Sequence, residues 1–139
     1  MTRYLLDTNV VSELRKRKPH GGVVAWLASL HADQIFVSAV TIGELQTGVE
    51  MTRRQDAAKA QEIESWLASV ETSFSLIAMD SACFREWSRL IIGRPETLRQ
   101  DAMIAATARV HDFEIATRDE HDFKLLGARI VNPFKTQPR

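Results

Sequence analysis

The sequence of 139 residues lacks several features that would narrow its function at once. It has a single cysteine, Cys83, so an intrachain disulfide is impossible, and this suits a reducing compartment. The longest stretch without Asp, Glu, Lys or Arg runs only from Pro19 to Ala32, whereas a membrane span needs about 20 apolar residues. The N-terminus has an acid at position 7 and no apolar region typical of a signal peptide. We therefore expect a soluble cytoplasmic protein that does not contact a membrane.

An excess of charge of either sign is also missing. Lys and Arg total 18, Asp and Glu total 18, and the formal net charge is zero. This balance excludes a protein that coats nucleic acid by bulk positive charge, and it excludes an acidic disordered tail. The hydrophobic fraction of 45% is ordinary for a globular chain, and the length fits one domain over residues 1–139. The totals do not show whether charges of one sign are gathered in one place.

Short apolar runs alternate with segments of helical periodicity along the whole chain. This alternation predicts an α/β fold with a mainly parallel sheet. The predicted strands cover residues 3–7, 34–37, 75–79, 114–117 and 128–131. Predicted helices cover residues 8–17, 38–51, 100–110 and 123–126, with others around Trp26 and Trp66 and after Asp80. Ligands of such sheets bind beyond the carboxyl ends of the strands, so residues that follow strands are the first candidates for a site.

Two acids follow predicted strands directly. Asp7 comes after the first strand, and Asp119 lies just beyond the fourth. Asp7 could instead cap the next helix, and Asp119 could be an ordinary turn acid. Glu120 and Asp122 are close to Asp119, so position alone leaves the choice among these three open.

Two further acids lie on helix faces with few other charges. Glu44 is the only charged residue between Gln34 and Val49, and it could reach solvent at the border of its helix. Asp101 shares the core-facing stripe of its helix with Ile104, although the helix dipole would favour an anion there in any case. If these two acids and the two strand-end acids converge, their repulsion must be offset. Raised pKa values could do this, but a divalent cation is simpler, and an all-oxygen site suits Mg²⁺ or Mn²⁺.

The sequence has no signature of several other sites. Its four histidines are scattered, without the spacing of a zinc site. It has no glycine-rich phosphate loop and no G-x-S-x-G turn for a serine nucleophile.

Four blocks of the sequence carry a family resemblance. Residues 5–10, 42–48, 101–108 and 116–119 resemble the four motif blocks of PIN domains, and in particular of VapC-type toxins from bacterial toxin–antitoxin pairs, including the FitB-like subgroup. Residues 131–134 also suit that subgroup. The resemblance implies a three-layer α/β/α fold with a five-stranded parallel sheet and Mg²⁺- or Mn²⁺-dependent ribonuclease activity. It further implies inhibition by a VapB-type antitoxin, a homodimer, and contact with operator DNA only through the antitoxin.

The resemblance also implies roles for particular residues. It places Asp7, Glu44, Asp101 and Asp119 in the acidic metal site, and it favours Asp119 over its acidic neighbours. Asn9 and Thr117 match positions that support the site by orienting a carboxylate or a bound water.

Basic residues lie near the acids in the sequence. The densest run is residues 15–18, and a second series of arginines leads to Asp101. The candidate RNA contacts are Arg15, Lys16, Arg85 and Arg89. Each could also lie on a solvated face, and Arg85 and Arg89 have the spacing of helix pairing.

Two other functions remain open from the residues alone. Asp7 at a strand end could be the nucleophile of a phosphohydrolase, although Asn9 stands where a second acid would be expected. Alternatively, the chain could be a non-catalytic module that binds a partner or nucleic acid. The three tryptophans fit a core, or a groove for such a partner.

Overall fold

A computed structural model describes residues 1–135, so the last four residues of the predicted 1–139 domain lie outside it. Five strands form one parallel sheet in the order β3-β2-β1-β4-β5. The strands are β1 Tyr4–Leu6, β2 Ile35–Ser38, β3 Ser75–Ile77, β4 Glu114–Ala116 and β5 Ile130–Val131. The sheet is therefore parallel throughout, where the sequence predicted mainly parallel.

Seven α-helices connect these strands within the described residues. They are α1 Thr8–Glu13, α2 Gly21–Ala28, α3 Ala39–Arg53, α4 Ala57–Ser73, α5 Ser81–Ile91, α6 Arg99–His111 and α7 Glu120–Leu125. Ser38 caps α3 by accepting the Val40 N–H, and Asp80 caps α5 by accepting the Cys83 N–H. Both starts agree with the sequence-based prediction. No helix within residues 1–135 is both long and apolar enough to cross a membrane.

The alternating side chains of β1 divide the core into two halves. Leu5 packs with residues of α5, α6 and α7, whereas Leu6 packs with residues of α1, α2 and α4. Since successive side chains of a strand point to opposite faces, these helices cover both faces of the sheet. The three-layer α/β/α fold is confirmed.

The segment after β1 differs from its prediction. The helix predicted over residues 8–17 ends at Glu13, and the basic residues 15–18 lie in a turn. The Glu13 carboxylate accepts the His20 N–H and pairs with Lys16, which stabilises the turn. His20 then caps α2 by accepting the Gly22 N–H, so Gly21 and Gly22 form the start of that helix.

Candidate metal centre

The centre of the sheet places Asp7 at the carboxyl end of β1. The Asp7 N–H donates to the Ala116 carbonyl of β4, so residue 7 is fixed beside the neighbouring strand end. The side chain is 6% exposed and also caps α1 by accepting the Thr8 N–H at 2.8 Å. The capping role considered from the sequence is therefore present, and it coexists with a position in the crevice.

Two side chains hold the other oxygen of Asp7. The Thr117 hydroxyl donates to Asp7 Oδ2 at 2.8 Å, and the Asn9 amide donates to it at 3.1 Å. Thr117 also accepts the Asp119 N–H at 2.9 Å, while Asn9 accepts the Arg118 N–H. The two residues that the family resemblance assigned to support therefore join the ends of β1 and β4 around one carboxylate.

Burial raises the pKa of Asp7 above its usual value, and the charge of Asp119 adds to this effect. The three hydrogen bonds act in the opposite direction because they stabilise the ionised form. Both oxygens of Asp7 accept hydrogen bonds, so the fold fixes the orientation of this carboxylate.

A group of three carboxylates lies beside Asp7. One oxygen from each of Asp101, Asp119 and Asp122 lies within 4.8 Å of the other two. Asp101 is in the first turn of α6, Asp119 caps α7, and Asp122 is in the first turn of α7. Such an all-oxygen set of hard ligands fits Mg²⁺ or Mn²⁺.

Asp101 has the largest electrostatic perturbation of these acids. Burial raises its pKa to about 7, and the charges of Asp7, Asp119, Asp122 and Glu44 contribute to this rise. Burial and the charge of Asp119 also raise the pKa of Asp122. The oxygens of Asp101, Asp119 and Asp122 lie close enough together for such repulsion.

Glu44 is half-buried on α3 and lies outside the group of three oxygens. Burial raises its pKa, and the charge of Asp7 raises it further. Contacts with Thr8 and Gln100 partly offset these effects. Glu44 on α3 therefore lies near enough to Asp7 and Asp101 for their charges to interact.

Asp122 is a site candidate that the sequence-based choice of Asp119 left out. The helix predicted over residues 123–126 begins at Glu120, with Asp119 as its N-cap. Asp122 is thus the third helical residue, and its N–H donates to Asp119 Oδ1 at 3.3 Å. An acid three residues after an N-cap Asp follows the spacing of a capping box, and that pattern could have indicated that the two carboxylates are close together.

The candidate RNA contacts have different surroundings. Lys16 forms an ion pair with buried Glu13 at 2.9 Å, and Arg89 pairs with Glu86 at 3.7 Å. Arg15 and Arg85 are exposed and form no ion pair within residues 1–135. Contact of these four residues with RNA stays a prediction.

Comparisons with known proteins agree with this architecture. Residues 4–128 match the model of the PIN domain family. VapC ribonuclease Y4jK of Sinorhizobium fredii is 33% identical over 142 residues, which cover 94% of this chain and 97% of that protein. Toxin FitB of Neisseria gonorrhoeae is 31% identical over 137 residues, with coverage of 94% and 97%.

Solved structures give the same result. The crystal structure of FitAcB from Neisseria gonorrhoeae has a TM-score of 0.82 at 31% identity, covering 95% of this chain and 99% of that one. FitAB bound to an IR36 DNA fragment has the same TM-score at 29% identity, with coverage of 96% and 97%. The chain therefore belongs to the PIN domain family and, within it, to the VapC-type toxin ribonucleases related to FitB.

Proposed function

We propose that this protein hydrolyses RNA phosphodiester bonds with Mg²⁺ or Mn²⁺ held in the acidic crevice. The convergence of Asp101, Asp119 and Asp122 carries this proposal. Three mutually repelling carboxylates at one sheet edge need a cation to be stable when all are ionised. We assign Asp7 and Glu44 to the same site because their charges raise the pKa of Asp101.

A divalent cation bound here would polarise the scissile phosphate and activate a water molecule. Asp101, Asp119 and Asp122 would supply the ligand oxygens. Asp7 would offer a carboxylate already oriented by Thr8, Asn9 and Thr117. Holding such groups in place before reaction lowers the cost of organising charge in the transition state.

Glu44 is our candidate for the group that accepts a proton from the attacking water, with Asp119 as the other carboxylate in reach of that role. Glu44 stands outside the group of three ligands, and burial moves its pKa up towards neutral pH. A carboxylate with a raised pKa is a stronger base than an exposed one.

The test compares cleavage of several structured RNAs in Mg²⁺ or Mn²⁺ with binding of Mn²⁺ by calorimetry. Asp101→Asn should abolish cleavage and weaken Mn²⁺ binding. Glu44→Gln should lower the cleavage rate by about 10²–10⁴-fold while keeping most of the Mn²⁺ affinity, because it removes a base rather than a ligand.

Asp112→Asn is the matched control. Asp112 ends α6 in the left-handed conformation, which Asn tolerates, and its side chain is 84% exposed. Its exposed ion pair with Arg129 contributes little to stability. Equal cleavage by wild type and Asp101→Asn would reject the site, and equal cleavage by wild type and Glu44→Gln would reject the base.

For partners, we propose a VapB-type antitoxin that blocks the crevice, a homodimeric toxin, and contact with operator DNA only through the antitoxin. The likeness to FitB supports this, since FitAB has been solved bound to DNA. We expect the protein to act in the cytoplasm. Coexpression with the product of an adjacent small reading frame, followed by the cleavage assay, tests inhibition.

A further inference from the structure

A cavity of about 510 Å³ lies between the turn after α1 and the helix α4. The turn contributes Arg15, Lys16 and Arg17, and α4 contributes Lys59. The remaining lining is Glu62, Ile63 and Trp66 of α4. Four cations and one acid thus surround a cavity with an aromatic side chain in its wall.

Three of the four cations of this cavity are poorly compensated. Arg15 and Arg17 are exposed and have no ion pair within residues 1–135. Lys59 contacts Glu62 only at 3.7 Å, and the Glu62 side chain is 72% exposed. Such an exposed pair contributes little, so the cavity keeps a positive potential for an anion.

Buried Glu13 connects the cavity to the acidic crevice. One oxygen of Glu13 contacts Lys16 at 2.9 Å and Arg118 at 3.9 Å. Arg118 immediately precedes Asp119, and its N–H donates to Asn9, which in turn holds Asp7. Lys16 of the cavity and Arg118 at the rim of the crevice are therefore neighbours across a single carboxylate.

We propose that this cavity binds a nucleotide of the single-stranded RNA that flanks the scissile phosphate. Arg15, Arg17 and Lys59 would contact the phosphate groups, and Trp66 would pack against the base. Proteins that bind single-stranded nucleic acid combine cations along the phosphate backbone with aromatic side chains that stack on the bases. The inference rests on the proposed function because it takes the crevice as the site of cleavage.

We favour RNA over an acidic protein segment because one RNA strand can run from the crevice to the cavity. An RNA strand carries a phosphate on every nucleotide, so a strand whose scissile phosphate lies in the crevice brings further phosphates past Arg118 and Lys16 to the cavity. Glu13 does not repel the RNA strand, because its carboxylate is buried and pairs with Lys16 and Arg118.

The test measures binding of a fluorescein-labelled, 12-nucleotide oligouridylate RNA by anisotropy in EDTA, over a range of salt concentrations. The double variant Arg17→Gln/Lys59→Gln should bind about tenfold more weakly, and the slope of log affinity against log salt should fall by about 0.7 for each lost phosphate contact. Trp66→Leu should also weaken binding about tenfold, but with an unchanged slope, because it removes stacking rather than charge.

Arg129→Gln is the control for charge, since Arg129 is exposed and directly precedes β5 at the opposite edge of the sheet. It should bind as wild type does, and melting curves should show that every variant is folded. An unchanged affinity and slope in Arg17→Gln/Lys59→Gln would overturn the proposal, whatever that variant does to binding of a protein partner.

The two proposals fail separately. Asp101→Asn keeps the cavity, so its RNA binding in EDTA should persist when cleavage is lost. If the wild type binds through the cavity but cleaves no RNA, the proposed function fails, and binding of single-stranded RNA by the cavity stands without its relation to a scissile phosphate. If it cleaves RNA while the cavity variants bind normally, only the cavity assignment fails.

Discussion

Asp7 and Asp101 lie in the same crevice, yet the protein holds them in opposite ways. Asp7 accepts hydrogen bonds from Thr8, Asn9 and Thr117. Asp101 accepts none from the described residues, and its pKa is raised to about 7 by burial and by four other acids. The carboxylate of Asp7 is satisfied by the protein itself, whereas that of half-buried Asp101 is left to solvent, a proton or a cation.

Because of this difference, Asp7 and the group of three acids should depend on a bound metal to different extents. Asp7 has a fixed orientation before any cation arrives, because its donors are part of the fold. Asp101, Asp119 and Asp122 bring their oxygens together at the cost of repulsion. Changes in the group of three should therefore alter metal binding and the pH dependence of stability. Loss of the donors to Asp7 should instead lower the free energy of unfolding.

The largest expected effect comes from removing one member of the group of three. Asp122→Asn should lower the cleavage rate by at least about 100-fold and weaken Mn²⁺ binding by at least about 10–100-fold, because loss of a ligand costs more than loss of a residue that only orients a ligand. Cleavage kinetics and calorimetry measure the two effects.

Glu120→Gln is the neighbouring control for Asp122→Asn. The Glu120 carboxylate pairs with Lys135 and accepts the Asn132 amide rather than joining the group of three. If Glu120→Gln lowers the cleavage rate and Mn²⁺ binding as much as Asp122→Asn does, the effect comes from changing any acid of α7. Asp122 would then not be a ligand.

The second largest effect should come from removing a hydrogen-bond donor of Asp7. Thr117→Val keeps the shape of a side chain that is fully buried, but it removes a donor to Asp7 and the acceptor of the Asp119 N–H. Unpaired buried groups should cost about 2 kcal/mol in the free energy of unfolding. Urea denaturation in EDTA measures this loss.

Thr107→Val provides the comparison for Thr117→Val. Thr107 is equally buried, but its hydroxyl donates to the Met103 carbonyl within its own helix. Loss of this hydroxyl should cost about half as much, about 1 kcal/mol in the free energy of unfolding. Equal losses in the two variants would contradict a special role for the Thr117 hydroxyl.

The smallest effect is the pH dependence of stability without metal. The pKa of Asp101 is about 7 in the fold and near 3.8 when unperturbed. Between these values the folded protein holds a proton that the unfolded chain has released. The contribution of Asp101 to stability therefore falls as the pH rises from about 4 to about 7, and it stays low above that.

Asp101→Asn removes this dependence. In EDTA it should be more stable than wild type by about 1 kcal/mol at pH 8, since solvent screens part of the repulsion, and it should match wild type at pH 4. Urea denaturation at several pH values measures the difference. A difference that is the same at every pH would contradict the assignment to Asp101.

The sequence predicted the sheet and the positions of its acids because both follow from local patterns. Apolar runs that end in an acid placed Asp7 and Asp119 at strand ends, and helical spacing placed Asp101 towards the core. What it could not predict depends on contacts distant along the chain. The four acids looked alike as isolated charges, and only the meeting of β1 with β4 shows that Thr117 donates to Asp7.

The early end of α1 was missed for a similar reason. Helical propensity continues into residues 15–18, but the Glu13 carboxylate binds the His20 N–H and contacts Arg118. The contact with Arg118 depends on how the end of α1 meets the segment after β4. The cavity beside the turn was equally invisible, because Lys59 and Trp66 come from α4, far away in the sequence.

The strand order has a consequence for the synthesis of this protein. The central pairing joins the first strand to the fourth, and the Asp7–Thr117 hydrogen bond spans 110 residues. A nascent chain emerges from the ribosome with Asp7 first, but it cannot assemble the crevice until β4 and α7 have followed. Translation that stops before β4 therefore releases a product without Thr117, Asp119 and Asp122, and the cell meets an assembled site only after α7 has been synthesised.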